Sequence, residues 1–215
     1  MAIGEQNSET GADVLGYILV GGASSRFGRD KALVELDGRP MYARIAHVLK
    51  AAGIRDISLV GDPGKYGNLE IGCISDIWPG EGPLGGIVSA LDYNEAVSLT
   101  HYNLIVSCDM PFLTPDWVAH LVTRASTSEA PVVLPQSKYG LEPLCSVLHT
   151  DIASGLKKQF RNGVRKVTEA LKQFRMEVLD ERDWKRFDSA GRLFWNMNTA
   201  ADYEEARRIV EAGQG

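Results

Sequence analysis

Apolar residues in this chain gather in short runs that alternate with amphipathic stretches. The first run, DVLGYILV at 13–20, carries no charge after Asp13. A half-exposed hairpin strand would alternate polar and apolar positions, so this run predicts a central parallel strand buried on both faces. Residues 41–52 place Ile45, Val48, Leu49 and Ala52 on one helical face, and Gly53 follows as a stop. IRDISLVG at 54–61 and LEIGCISD at 69–76 predict two more strands, the second ending in an acid. GPLGGIVSAL at 82–91 reads as a tight turn entering a helix. YNLIVSCDMPF at 102–112 reads as another buried strand, again with an acid near its end. Thr114 is placed to cap a helix over 115–126, with Pro115 at its first position.

Strand, loop and helix thus recur, which predicts an α/β fold. The expected form is a three-layer, Rossmann-like arrangement with a mostly parallel central sheet and helices on both faces. The pattern weakens after PVVLP at 131–135. Beyond it we expect a return strand at 142–148, helices at 151–160 and 164–173, a strand at 174–180 and a final helix at 199–211. Residues 1–12 are polar and predict a flexible N-terminal segment. Residues 13–215 predict a single domain with a less regular C-terminal half.

Composition narrows the function classes. With 44% hydrophobic and 24% charged residues over 215 positions, the chain is globular, neither disordered nor fibrous. A net charge of -5 disfavours coating of nucleic acid but leaves room for a local anion site. Lys157, Lys158, Arg161, Arg165 and Lys166 lack interleaved aromatics and read as a solvated helical face. Three cysteines with no C-x-x-C pair and no signal peptide predict a reduced, cytoplasmic protein. The four histidines do not cluster, which gives no support to a zinc site. No apolar run reaches the roughly 18 residues of a membrane span.

The strongest chemical signal is LVGGASSRFGRDKALVELDGRPM at 19–41. Gly21 and Gly22 let the backbone approach a base or phosphate without a Cβ clash. Loop N–H groups can then hold phosphate oxygens, with Ser24, Ser25 and Arg26 as further donors. Lys31 brings a mobile positive charge, and Asp30 orients it or braces the loop. An exposed charged loop would explain a bare Gly-Gly turn. The buried strand before it and the Ser, Arg, Asp and Lys after it favour phosphate binding. Neither a P-loop nor a G-x-G-x-x-G fingerprint is present.

Asp76 and Asp109 each follow an apolar stretch, so both are expected at the carboxyl edge of the sheet. There they hold Mg²⁺ beside phosphates, or else cap helices and brace turns. Gly82 and Gly85, flanking Pro83, shape a narrow passage or simply a compact turn. Asn196 and Asn198 alternate, which would place both on one face of a short strand; Asn198 is alternatively the cap of the last helix.

Leu19-Val20-Gly21-Gly22 followed by SSRFGRDKAL at 24–33 resembles the L-A-G-G-x-S-x-R-M-G-x-D-K-x-L pattern of the molybdenum cofactor guanylyltransferase family. That family lies within the GT-A-like nucleotidyltransferases. Phe27 stands at the usual Met and Val20 at the usual Ala, both apolar exchanges. The resemblance continues through Asp76, GEGPLGG at 80–86, SCDMPF at 107–112, LEPLC at 141–145 and FWNMNT at 194–199. It implies a nucleotidyltransferase fold and Mg²⁺-dependent transfer of GMP from GTP to molybdenum cofactor. On the nucleotide side it implies Leu19, Gly21, Gly22, Ser24, Lys31, Asp76, Gly82, Gly85 and Asp109. Arg26, Lys31 and Asp109 would act on the phosphates, with Asp109 the main metal-associated acid and Asp76 its support. Glu142, Asn196 and Asn198 would face the acceptor. Cofactor-synthesis or molybdoenzyme delivery proteins are the implied protein partners, with no nucleic acid and no membrane. Relatives that use CTP often read A-A-G at Val20-Gly21-Gly22, so this chain leans toward guanine. A cytidylyltransferase, a sugar-phosphate nucleotidyltransferase and a nonenzymatic nucleotide-binding delivery protein stay open as alternatives.

Overall fold

The computed structural model describes residues 13–21, 30–97, 100–188 and 190–213. Strand β1 (Val14–Leu19) is followed, after the glycine-rich segment, by a hairpin of β2 (Glu35–Leu36) and β3 (Arg39–Pro40). Helix α1 (Met41–Ala51), β4 (Asp56–Gly61), the short α2 (Pro63–Tyr66) and β5 (Cys73–Ser75) come next. Then follow α3 (Pro83–Val97), β6 (Tyr102–Ser107), α4 (Pro115–Thr127), β7 (Val132–Ser137), β8 (Gly140–Leu141) and β9 (Cys145–His149). Helices α5 (Ala153–Arg161) and α6 (Val167–Leu171), strand β10 (Met176–Leu179), and helices α7 (Glu181–Trp184) and α8 (Ala200–Glu211) complete the order.

The sheet runs β10-β7-β9-β6-β1-β4-β5, with β8 paired to β7. Strand β1 is parallel to β6 and β4, β4 to β5, and β7 to β10. Only β9, antiparallel to both β6 and β7, interrupts this run among the strands of that path. The expected mostly parallel α/β architecture is therefore present. Because β9 reverses twice, β7 and β10 point the same way as β6. The carboxyl ends of β10, β7, β6, β1, β4 and β5 thus share one edge.

The unbroken apolar runs are explained by their two buried faces. Ile18, Leu104 and Val106 pack with Ile45 and Leu49 of α1 and Trp117 and Leu121 of α4. Their neighbours Tyr17 and Ile105 turn the other way, onto Leu84 and Ile87 of α3 and Leu156 of α5. A smaller cluster joins Val34, Leu36 and Met41 to Met197 and to Ala206 of α8. Thr114 caps α4 as expected, its side chain accepting from the Trp117 N–H. No helix of the described residues is long and apolar enough to cross a membrane.

Several boundaries differ from the periodic reading. The strand expected over 69–76 is reduced to Cys73–Ser75, at the sheet's edge. The return strand starts only at Cys145, whose N–H closes a turn onto the Glu142 carbonyl at 3.1 Å. The helix expected over 164–173 is shortened to Val167–Leu171.

Candidate active site

Strand β1 ends at Leu19, whose carbonyl accepts from the Cys108 N–H at 3.3 Å, and the next residue stays tied to β4 through Val20 N–Val60 O at 3.0 Å. Gly21 then takes φ +100, a left-handed conformation that a Cβ would strain. Gly22, Ser24, Ser25 and Arg26 lie outside the described residues.

At Asp30 the chain re-enters. Asp30 caps the short turn Lys31–Leu33, its Oδ1 accepting from the Ala32 N–H at 3.0 Å. Oδ2 accepts from the Tyr66 hydroxyl at 2.6 Å and pairs with Lys65. Burial works to raise the Asp30 carboxyl, but the bonds from Lys65, Tyr66 and Ala32 outweigh it and hold it below the usual range. Asp30 therefore braces the turn that presents Lys31.

Lys31 faces the end of β6. Its Nζ donates to Asp109 Oδ2 at 3.2 Å and to Asn198 Oδ1 at 2.6 Å. Ser107 Oγ holds the other carboxylate oxygen of Asp109 at 2.7 Å. The Asp109 carbonyl accepts from the Met197 N–H at 2.8 Å, which draws the C-terminal segment onto the site. Asp202 fixes that segment, its Oδ2 accepting from the Asn198 and Thr199 N–H groups at 2.8 and 2.7 Å. Lys31 and Asp109 keep 20% and 15% of their side-chain surface exposed, so a ligand can reach both. Cys108, between Ser107 and Asp109, is fully enclosed, and burial pushes its thiol well up. Burial likewise pushes the Cys145 thiol up to about 12, which leaves neither suited to act as a nucleophile.

The remaining predicted residues divide. Asp76 lies beyond β5, its Oδ1 taking the Trp78 N–H at 2.9 Å and Ser89 Oγ at 3.3 Å. Three strand intervals separate β5 from β6, about 14 Å at the usual spacing. Gly82 is exposed with φ +89, whereas Gly85 is buried, and a Cβ there would meet the Trp78 carbonyl at 3.2 Å. Glu142 is half-buried and accepts from Ser137 Oγ at 2.5 Å. Burial raises its carboxyl above the usual range, Ser137 opposes this, and the Asp109 charge adds to the rise. Asn196 is half-buried and donates to the Phe194 carbonyl at 3.2 Å.

Two expectations for the last segment need correction. Residues 195–198 form no strand. Nor does Asn198 cap α8: Thr199 does, accepting from the Asp202 N–H at 3.1 Å in a reciprocal capping box. The Asn198 side chain is taken by Lys31 instead. Sequence reasoning also missed Ser107, Asp202 and Tyr66. The Thr-x-x-Asp spacing at 199–202 signals the capping box, but no local pattern ties Tyr66 to Asp30.

Among the described residues no three His, Cys, Asp or Glu side chains gather into a cage for a metal. The arrangement offers instead a cation and a carboxylate side by side at a parallel-sheet edge, a setting for phosphate chemistry.

A family profile described as the MobA-like NTP transferase domain matches residues 16–176. A probable molybdenum cofactor guanylyltransferase from Clostridium perfringens is 31% identical over 192 residues, which cover 87% of this chain and 93% of that protein. A molybdenum cofactor guanylyltransferase from Desulfosudis oleivorans is 30% identical over 203 residues, 94% of this chain and 98% of that one. The crystal structure of molybdopterin-guanine dinucleotide biosynthesis protein A from Archaeoglobus fulgidus superposes with a TM-score of 0.79 at 24% identity, covering 92% and 99% of the two chains. This last likeness concerns the fold. The profile spans most of the sheet and both Lys31 and Asp109, and the chain accordingly belongs to the MobA-like NTP transferase family and is a nucleotidyltransferase.

Proposed function

We propose that this nucleotidyltransferase transfers GMP from GTP to molybdenum cofactor, a pterin with a terminal phosphate, giving the guanine dinucleotide form. The observation that carries the reading is the Lys31 ammonium shared between Asp109, at a strand end, and Asn198, on the C-terminal segment. One cation thus stands where two phosphate-bearing substrates can meet. The names of the 31% and 30% identical relatives supply the choice of guanine and of acceptor.

An oxygen of the acceptor's terminal phosphate attacks the α-phosphorus of GTP. The bond from that phosphorus to the β-phosphate bridging oxygen breaks, and pyrophosphate leaves. The attacking phosphate is already anionic, so no protein base is needed. Lys31 neutralises the triphosphate and swings from Asp109 as phosphate oxygens arrive. Mg²⁺, when bound, supplies further neutralisation of the phosphate chain. Asp109 fits as its holder: a partly exposed carboxylate suits a hard cation that takes one or two acids and fills its shell with phosphate and water. Asp76, held by Trp78 and Ser89, serves the nucleotide side. Gly21 and Gly82 offer it open backbone; Leu19 and Gly85, and Gly22, Ser24 and Arg26 outside the described residues, are assigned to nucleotide binding by the resemblance alone. Glu142 and Asn196 face the acceptor, together with Asn198. Cofactor-synthesis or molybdoenzyme delivery proteins would bring or collect the product.

The test incubates the protein, Mg²⁺ and the acceptor with each labelled NTP in turn, following pyrophosphate and the nucleotide-linked product. A pterin dinucleotide made from GTP is expected. Equal or better use of CTP would overturn the guanine assignment, and binding without product would indicate a delivery protein.

A further inference from the structure

The turn ahead of α3 is rich in glycine and bends sharply. Gly80 and Gly82 take φ of +82 and +89, both left-handed, with Glu81 between them. The turn's own hydrogen bonds run along the chain. The Trp78 N–H donates to Asp76 Oδ1 at 2.9 Å, the Glu81 N–H to the Trp78 carbonyl at 3.2 Å, and the Gly85 N–H to the Gly82 carbonyl at 3.1 Å. Glycine loses more freedom on ordering than any other residue, so a turn with two of them needs an outside hold to keep one shape.

Arg165 supplies that hold. The basic stretch at 157–166 reads from sequence as a solvated helical face, but Arg165 lies between α5 and α6, outside both helices. Its Nε donates to Glu81 Oε2 at 2.7 Å, across 84 positions of sequence. Its Nη1 donates to the Phe160 carbonyl at 2.7 Å and to the Val164 carbonyl at 3.1 Å. The first of these carbonyls belongs to the last turn of α5, where a helix end carries partial negative charge and favours a cation. The guanidinium also lies 4.1 Å from the centre of the Phe160 ring.

Exposed ion pairs contribute little, largely because two flexible side chains must be ordered to make them. Arg165 and Glu81 keep 42% and 50% of their side-chain surface exposed, so their attraction adds little to overall stability. The arginine, however, is already held by two carbonyls and a ring, and little further freedom is lost when it meets Glu81. The ring beneath it reaches the turn as well. Phe160 packs on Trp78 with ring centres 4.9 Å apart, and its edge lies 3.6 Å from the place of a Cβ on Gly85. The layer of Arg165, Phe160 and Trp78 thus meets the turn near its start, at Glu81, and at its entry into α3.

We infer that Arg165 is a positioning residue for the nucleotide: through Glu81 it holds the Gly80–Gly82 turn in the shape that receives the nucleotide, and it touches no substrate itself. The inference rests on the reading above, which puts the nucleotide on the Asp76 side. A turn fixed beforehand leaves less ordering to be done on binding, so the effect falls on affinity rather than on the rate of the bound complex.

Arg165→Ala, Glu81→Gln and the double variant test this. GTP binding is measured by equilibrium dialysis, and KM and kcat are measured for GTP and for the acceptor. Each single variant should bind GTP about three- to tenfold more weakly. The KM for GTP should rise alike, with kcat, acceptor KM and melting temperature unchanged. The double variant should be no worse than either single one, because the two side chains act as a unit. Arg165→Lys, which keeps the charge but not the fork, should recover only part of the loss. Unchanged GTP affinity, additive losses in the double variant, or equal losses for both substrates would overturn the assignment. So would a lowered melting temperature with wild-type affinity. A wild type that makes the dinucleotide from GTP while every variant matches it removes only Arg165. A wild type that prefers CTP, with the same pattern of losses for CTP, keeps Arg165 in its role and removes only the guanine reading. Binding of neither nucleotide by the wild type overturns both.

Discussion

The Tyr66 hydroxyl donates to Asp30 Oδ2 at 2.6 Å, joining α2 to the turn that carries Lys31. Tyr66 is otherwise buried, with 1% of its surface exposed, so its ring packs whether or not the hydroxyl is present. Tyr66→Phe should cost about 1.5–3 kcal/mol, the worth of one hydrogen bond to a charged group. It should also raise the KM for nucleotide several-fold with less change in kcat, because the lysine's turn loses a support. The bond favours the ionised Asp30, whose carboxyl sits below its ordinary value. Its contribution is therefore present above the ordinary carboxylate range and fades as pH falls through the lowered value. The melting difference between variant and wild type should close at acid pH. A lower melting temperature with unaltered kinetics would reduce Tyr66 to a brace.

Lys31→Ala should lower turnover by about two orders of magnitude, the usual scale for a charge-stabilising donor. Lys31 and Asp109 are both partly solvated, so stability should change by no more than about 1 kcal/mol. Steady-state rates and thermal melting separate the two effects. Wild-type turnover would remove Lys31 from the reaction.

Asp109→Asn keeps the side chain's size and its contact with Ser107 but discards the negative charge. The Mg²⁺ concentration for half-maximal turnover should rise at least tenfold. An unchanged Mg²⁺ titration would show that the metal is held elsewhere.

Glu142→Gln tests the electrostatics of the acceptor side. Burial and then Asp109 raise the Glu142 carboxyl, against the Ser137 bond. A raised carboxyl binds its proton more tightly in the folded state, so its ionised form costs stability above the raised value. That cost vanishes below about pH 4, where folded and unfolded chains are both protonated. The glutamine variant should melt higher than wild type at pH 7 to 8 and match it near pH 4. An offset independent of pH would contradict this.

Gly61→Ala should destabilise the fold by about 1–3 kcal/mol through overpacking. The new Cβ would sit 2.9 Å from the Val20 carbonyl and 2.8 Å from Val20 Cγ2, and the carbonyl belongs to the strand end that leads into Gly21. Denaturant titration measures the loss. Wild-type stability would mean that β1 yields at no cost.

Legibility followed the range of the interactions. Strands β1 and β6 were readable because burial on both faces leaves an unbroken apolar run, and α4 because Thr114 and Pro115 mark its start. The hairpin at Leu36-Asp37-Gly38-Arg39 is not legible from periodicity. Its Asp-Gly pair, with φ of 55 and 67, is a turn signal, but two-residue strands are too short to show a period. Asp76 and Asp109 are both legible as strand-end acids, with Asp109 ranked first by the family resemblance, but the strand order that sets them three intervals apart leaves no local trace. Asn198 was legible as polar and near the site. Its partner Lys31 was not, because 167 residues intervene.

That separation has a consequence for the making of the protein. All the described strands are synthesised before Asn198 and Asp202, and the sheet edge with Lys31 and Asp109 is laid down without them. A nascent chain paused before residue 198 has the lysine and the acid but not the amide between the ammonium and α8. The reacting centre is thus completed by a segment made after every described strand, so the sheet edge is assembled first and its amide partner is added to it.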